Sequence, residues 1–263
     1  MVVSGATGAV GQNLVPAILR SEDFTLVGAI GRRGLGRDVA LVLGLGEPIG
    51  VTVAANLEEA LGGREADVLI DFSVAPVAAV ICRAAVEAGI AVVLGTTAVD
   101  PGAIEEIGRT ALERGVGVFL APNLTIAGQL MIRCAELTRP YFGDVEIVEA
   151  HPPTKRDAPS GTAQETARRI NATPGPANTE DQTERGLPQA RGAVLGDVRI
   201  HSLRLPSFYS RHEVFFARPG EMLTIICDQF STEAVVGPTL KATRLILGER
   251  GVVRELPGLF DPD

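Results

Sequence analysis

Residues 2–19 read VVSGATGAVGQNLVPAIL, and the fold turns on how they are read. Val2-Val3-Ser4 is a short apolar strand ending in Gly5. Glycines recur at 5, 8 and 11, and Leu14, Val15 and Leu19 then place apolar side chains on one helical face. Gly5 allows a tight turn, Gly8 lets backbone approach a pyrophosphate, and Gly11 permits close packing of the following helix. Such a glycine pattern is common on its own. At the first strand-to-helix turn of a repeating pattern it points to a dinucleotide. Few residues precede Gly5, so the natural chain is expected to begin a little upstream of Met1.

The pattern does repeat. Strands are expected at Thr25–Ile30, Val68–Ile70, Ala91–Leu94 and Val116–Leu120, with helices over Pro76–Gly89 and Ala103–Arg114. Short continuous apolar strands alternating with helices indicate a parallel sheet covered on both faces. After Asn123 the character changes. Leu130–Leu137 and Thr162–Ile170 read as helices, Val145–Ala150 as a strand, and 171–195 as a long polar loop. Val198–Leu205, Glu213–Ala217 and Met222–Asp228 follow as strands of an open mixed sheet, and a last helix spans about Thr232–Leu247. The expected class is α/β: a Rossmann-like doubly wound parallel sheet with a second α+β domain containing the mixed sheet. Residues 1–124, completed by 233–263, form the dinucleotide-binding domain, and 125–232 the substrate-binding domain.

Composition narrows the function. The 263 residues are 46% hydrophobic and 21% charged, as expected for a protein that buries a sizeable core. A net charge of −8 and a pI near 5.1 argue against nucleic acid or an anionic membrane as partner. No run approaches the roughly 18 apolar residues of a membrane span. Cys82, Cys134 and Cys227 are widely spaced in apolar runs and read as reduced, buried thiols of a cytoplasmic protein. The second strand ends in Gly31-Arg32-Arg33, without the acidic residue that would select NAD. Arg32 and Arg33 suit a 2′-phosphate, so NADPH is favoured and NADH remains possible.

Residues 149–163, EAHPPTKRDAPSGTA, carry the chemistry. His151 at a strand end suits proton transfer near neutral pH. Lys155 and Arg156, with the N-terminus of the helix at Thr162, form a site for a carboxylate. Asp157 is read as a brace of the loop. Ser160 has no nucleophile-elbow context. His201 and His212 lack metal-ligand spacing, so no metal is expected. Tyr141 and Tyr209 are not followed by lysine at short-chain dehydrogenase spacing, and Cys134 lies in a helical pattern rather than the polar turn of a semialdehyde dehydrogenase. A nucleotide-sensing protein without turnover would not need His151 and Lys155 together.

Across the whole chain the sequence resembles the 4-hydroxy-tetrahydrodipicolinate (dihydrodipicolinate) reductases. The resemblance rests on GATGAVG, IDFS at 70–73, GTT at 95–97, APN at 121–123, EAH…KRDAPSGTA, IHSLRLPS at 200–207, RPGEMLTI at 218–225 and PGLFD at 257–261. It implies NAD(P)H-dependent reduction of a cyclic unsaturated dicarboxylate in lysine and diaminopimelate synthesis, by a homotetramer assembled through the second domain. His151 matches the proton donor and Lys155 the carboxylate-facing lysine. Thr97, Ser160, Gly161 and Thr162 match substrate contacts. Gly5, Ala6, Thr7, Gly8, Ala9, Val10 and Gly11 match the nucleotide side, with Phe72, Gly95, Thr96, Thr97, Ala121, Pro122 and Asn123. The sequence departs from the family at Pro152, where a second histidine is usual. It also departs at Ala9, Ala98, Thr125, Ala127 and Ser207. These departures motivate one alternative, a related imine or enamine reductase with a changed substrate.

Overall fold

The computed structural model describes residues 1–121, 123–183 and 185–261. The chain begins with β1 (Val2–Ser4), α1 (Gly11–Leu19), β2 (Gly28–Ile30), α2 (Val39–Val42), β3 (Val53–Ala54) and α3 (Leu57–Leu61). It continues through β4 (Val68–Asp71), α4 (Ala75–Glu87), β5 (Ala91–Leu94), α5 (Pro101–Arg114) and β6 (Gly117–Leu120). Then come α6 (Ile126–Thr138), β7 (Asp144–His151), α7 (Gly161–Ala172), β8 (Ala193–Leu195), β9 (Val198–Arg204), β10 (Ser210–Arg218) and β11 (Glu221–Gln229). The last elements are α8 (Val236–Leu245) and β12 (Gly251–Val253). Two units result: Met1–Leu124 with Thr232–Asp263, and Thr125–Ser231.

The first unit holds a seven-stranded sheet in the order β12-β6-β5-β4-β1-β2-β3, parallel throughout. Its strands are apolar on both faces because helices cover both. Val3, Ile70, Val93 and Phe119 pack with Leu14, Val15 and Ile18 of α1 and with Val236, Ala242 and Ile246 from the C-terminal segment. Their neighbours Val2, Leu69, Val92 and Val118 face the other way, toward Ala78, Ile81, Cys82 and Ala85 of α4 and Ile107 and Ala111 of α5. Helix boundaries follow local chemistry. Asp100 caps α5 by accepting from the Ala103 N–H at 3.0 Å, Pro101 opens it, and Gly115 ends it at φ +71°.

The second unit is a five-stranded mixed sheet in the order β11-β10-β7-β9-β8. β7 and β9 run parallel, and the other pairs are antiparallel. Helices α6 and α7 pack on one face, where Met131, Ile132, Ala135, Ala163, Ala167 and Ile170 meet Ile147, Ile200, Val214 and Phe216. Alternation along the strands sends Val148, Phe215 and Ile226 to the opposite face.

Several expectations need correction. Ile18, not Leu19, completes the inner face of α1, and Leu19 is 40% exposed. Cys134 is exposed, since α6 turns Met131, Ile132 and Ala135 inward instead. The stretch 171–195 is not loop throughout, for it ends in β8, which pairs with β9. β2 keeps only the last residues of the expected strand. The short elements α2, β3, α3 and β12 carry too few residues to show a period. Among the described residues no helix is long and apolar enough to cross a membrane.

Ala98, after β5, sits at φ +62°, a left-handed conformation that favours glycine. Holding a non-glycine residue there costs about 1–2 kcal/mol, and the added freedom of glycine in the unfolded chain offsets about 0.4–1 kcal/mol. Ala98→Gly should therefore raise stability by about 0.5–1 kcal/mol, read as a higher urea midpoint at unchanged slope. A lower midpoint would refute it.

Candidate active site

In the first unit the sequence-predicted nucleotide residues gather at the C-terminal ends of β1, β4, β5 and β6. Open parallel sheets bind their ligands at this edge. Gly5 has φ +79°, and a Cβ there would lie 2.4 Å from the Phe72 carbonyl oxygen. A Cβ on Gly11 would lie 2.3 Å from the Ala6 oxygen, so only glycine lets α1 begin against its own loop. Ala6 and Thr7 are buried beneath the loop, Val10 is half-buried, and Gly8 and Ala9 are exposed on its outer side. No side chain caps α1 at Val10. An exposed glycine turn leading into a helix without a side-chain cap fits a pyrophosphate.

Arg33 turns back on this loop, donating from Nη2 to the Thr7 carbonyl at 2.8 Å, while Arg32 is exposed. The Phe72 ring fills the space beside Gly95, where a Cβ would meet it at 2.2 Å. Asp71 is fully buried and accepts from the hydroxyls of Ser73 at 2.8 Å and Thr96 at 2.5 Å. The Thr96 side chain is thus held by the protein, and the exposed Thr97 beyond it is open to a ligand. Ala121 is buried, its N–H donating to Leu94 at 3.0 Å, and Asn123 is half-buried. Pro122 lies outside the described residues.

In the second unit β7 delivers His151, 8% exposed, to the start of the loop 152–160. Pro152 shapes that loop: its carbonyl accepts from the Lys155 N–H at 3.0 Å. Lys155 Nζ pairs with Asp157 at 2.9 Å, so Asp157 braces the lysine. Arg156 is exposed. Ser160 caps α7, accepting from the Ala163 N–H at 3.2 Å, which leaves Gly161 and Thr162 in the first turn.

Four residues to which the sequence assigns no part in the chemistry surround this loop: Glu149, Arg204, Ser210 and His212. Glu149 has no exposed surface. It pairs with His151 Nδ1, accepts from Arg204 at 2.9 and 3.0 Å, and accepts from the Ser160 N–H at 3.3 Å. Burial pushes its carboxyl up, but hydrogen bonds from His151, Arg204 and Ser202 outweigh burial and hold it at about 2. Arg204 also donates to the Asp157 carbonyl at 2.7 Å, tying the loop to β9.

Ser210 Oγ lies 3.2 Å from His151 Nε2. His212 is buried, 3.0 Å from Ser160 Oγ through Nε2, with its ring edge-on to His151 at 5.4 Å. Burial first, and the neighbouring His151 second, push His212 down to about 4, so it is neutral at pH 7. The expectation drawn from histidine spacing misses this gathering. One ligand atom each from Glu149, His151 and His212 lie within 4.8 Å of one another. Hydrogen bonds to one another, to Arg204 and to Ser160 engage these groups, making an acid–base cluster.

The register explains why they meet. β7 lies between β9 and β10, which sets Glu149 opposite Ser202 and His212, and His151 opposite Arg204. The one signal available in sequence was the Glu149-x-His151 spacing, which places both side chains on the same face of a strand. Elsewhere in this unit a depression of about 440 Å³ is lined by Glu146, Asp181, Arg191 and Arg199. There Arg191 pairs with Glu146 at 2.5 Å and Arg199 with Asp181 at 2.6 Å, so the charges fasten Arg191 and Asp181 to the sheet.

The first unit suits a dinucleotide, and the second offers a cation, a helix N-terminus and a histidine backed by a carboxylate, as an anionic substrate needing a proton requires. Comparison with known proteins agrees. The family model described as dihydrodipicolinate reductase, N-terminus, matches residues 1–124, and its C-terminus counterpart matches 124–258. The 4-hydroxy-tetrahydrodipicolinate reductase of Symbiobacterium thermophilum is 42% identical over 100% of this chain and 97% of its own. That of Moorella thermoacetica is 36% identical over 99% and 97%. Among solved structures, dipicolinate-bound dihydrodipicolinate reductase from Paenisporosarcina sp. TG-14 superposes with a TM-score of 0.76 at 26% identity, covering 96% of each chain. An amine dehydrogenase from Mycobacterium smegmatis shares the fold alone, at 15% identity and a TM-score of 0.68 over 98% and 96% of the two chains. With both family models matched along its length, the chain belongs to the dihydrodipicolinate reductase family.

Proposed function

We propose that this protein uses NAD(P)H to reduce 4-hydroxy-tetrahydrodipicolinate, or the dihydrodipicolinate formed from it, to tetrahydrodipicolinate in lysine and diaminopimelate synthesis. The observation that carries this reading is the full-length family match joined to a loop that holds His151, Lys155 and the N-terminus of α7 together. Held along Gly5 to Gly11 and beside Gly95, a reduced nicotinamide cofactor would supply the hydride. Lys155 and the backbone of Gly161 and Thr162 hold a substrate carboxylate, with Thr97 and Ser160 assisting, and His151 gives up a proton to the developing negative charge. Lys155 leaves Asp157 to do so.

Residues 1–124 with 233–263 serve as the dinucleotide-binding domain, and 125–232 as the substrate-binding and oligomerisation domain. NADPH is the preferred cofactor. Arg33, leaning on the glycine loop where an acid would select NAD, supports that preference. The protein is a cytoplasmic homotetramer. Its free cysteines support the location. The sheet face opposite α6 and α7 supports the assembly, with Ile226 52% and Met222 64% exposed beside Phe215.

The first test is loss of NADPH absorbance with freshly generated dihydrodipicolinate. His151→Ala should lower kcat by about 10²–10⁴-fold, and Lys155→Ala should lower kcat/KM by about 10–100-fold. Tight NADPH binding without reduction of this dicarboxylate would sink the assignment. Arg33→Ala should reduce the NADPH-over-NADH preference about 10-fold, and an unchanged ratio of kcat/KM values would remove Arg33 from cofactor choice. In light scattering, Ile226→Glu should convert a tetramer to smaller species. A tetramer that survives it assembles through another surface.

A further inference from the structure

Glu149 is a costly residue to bury, and its surroundings show what it does there. The carboxylate has no contact with solvent. One oxygen receives Arg204 Nη2 at 2.9 Å and the Ser160 N–H at 3.3 Å, and the other receives Arg204 Nη1 at 3.0 Å and faces His151 Nδ1. A carboxylate held ionised accepts hydrogen bonds and donates none. His151 Nδ1 must therefore carry a hydrogen whenever this contact is made. That leaves Nε2, beside Ser210 Oγ at 3.2 Å, as the only ring nitrogen whose proton can be released.

Resting on the reductase reading above, we infer that Glu149 is the positioning residue for proton transfer: it fixes the His151 imidazole so that Nδ1 stays protonated and Nε2 delivers the proton. In the step, the Nε2–H bond of the imidazolium breaks and the proton passes to the reduced substrate. Neutral His151 keeps its Nδ1 hydrogen against Glu149, and water restores the Nε2 proton. Through the Ser160 N–H the same carboxylate also holds the cap of α7, which locks the proton donor to the helix that faces the substrate carboxylate.

The groups facing His151 act in opposite directions. Glu149 on β7 stabilises the imidazolium. Arg204 on β9, Lys155 in the loop and the positive end of α7 oppose it. Asp157 offsets Lys155 at 2.9 Å. His212 on β10, neutral at pH 7, adds no charge. Activity that needs the acid form of His151 is present at low pH and lost as pH rises, so removing the carboxylate moves that loss to lower pH. Removing Arg204 moves it to higher pH.

The test compares kcat against pH for the wild type, Glu149→Gln and Arg204→Gln, alongside ¹⁵N spectra of the imidazoles. With three histidines in the chain, His151 is assigned by its Ala variant. Glu149→Gln should lower kcat about 100-fold or more by allowing the wrong tautomer. It should also move the alkaline loss of kcat to lower pH, with Arg204→Gln moving it to higher pH. Limbs that stay put, or move together, would reduce Glu149 to a structural ion pair and overturn the inference. If Glu149→Gln does not fold, the direction of the Arg204→Gln shift decides. If the wild type fails to turn over dihydrodipicolinate, the reductase reading falls, and the tautomer still judges Glu149: neutral His151 protonated on Nδ1 upholds it, and on Nε2 refutes it.

Discussion

A carboxylate shut away from water must be satisfied by protein donors, and at Glu149 that requirement organises the second unit. Leaving such a charge unpaired would cost several kcal/mol. The donors come from β7 itself, from β9 through Arg204 and Ser202, and from the cap of α7 through Ser160. The strand order is what allows this. Only a central β7 with β9 and β10 on either side sets Arg204 and His212 around one carboxylate. Packing beneath, by Ile147, Val214 and Phe216, then keeps the strands in that register.

The first unit is governed by a different constraint, close approach of backbone. Gly5, Gly11 and Gly95 each stand where a Cβ would strike carbonyl oxygen or the Phe72 ring. Contact between the loop after β1 and the turn after β4 is possible only because side chains are absent. Phe72 occupies the space that Gly95 vacates, and Asp71 behind it ties Ser73 and Thr96 together. The motifs IDFS and GTT, distant in sequence, are two halves of one packed corner.

The parallel sheet was legible because its strands, such as Val68–Asp71 and Ala91–Leu94, are apolar without alternation and are separated by helices with clear breakers. The open mixed sheet was legible from the alternation in β7, β9 and β10. What escaped was too short for a period, as in β3 and β12, or was an apolar residue on the outer side of a helix, as with Cys134 beside Arg133. At the site, His151, Lys155 and Ser160 stood out because they are adjacent in sequence. Arg204, Ser210 and His212 did not, because only strand pairing brings them in. Glu149 was in plain view, but an acid within a strand reveals its partners only when the register is known.

The place of β12 has a temporal meaning. It pairs in parallel with β6, yet the whole of Thr125–Ser231 lies between them in the chain, so the second unit is spliced into one crossover of the first unit's sheet. A chain leaving the ribosome therefore presents β6 as an unpaired edge until every residue of the inserted unit has emerged. The insert is contiguous and owns its core, so it can close on itself first and bring its two ends together. Loop-closure entropy rises only slowly with length. That edge of the sheet is thus sealed only after the inserted unit has emerged, by three residues, Gly251–Val253.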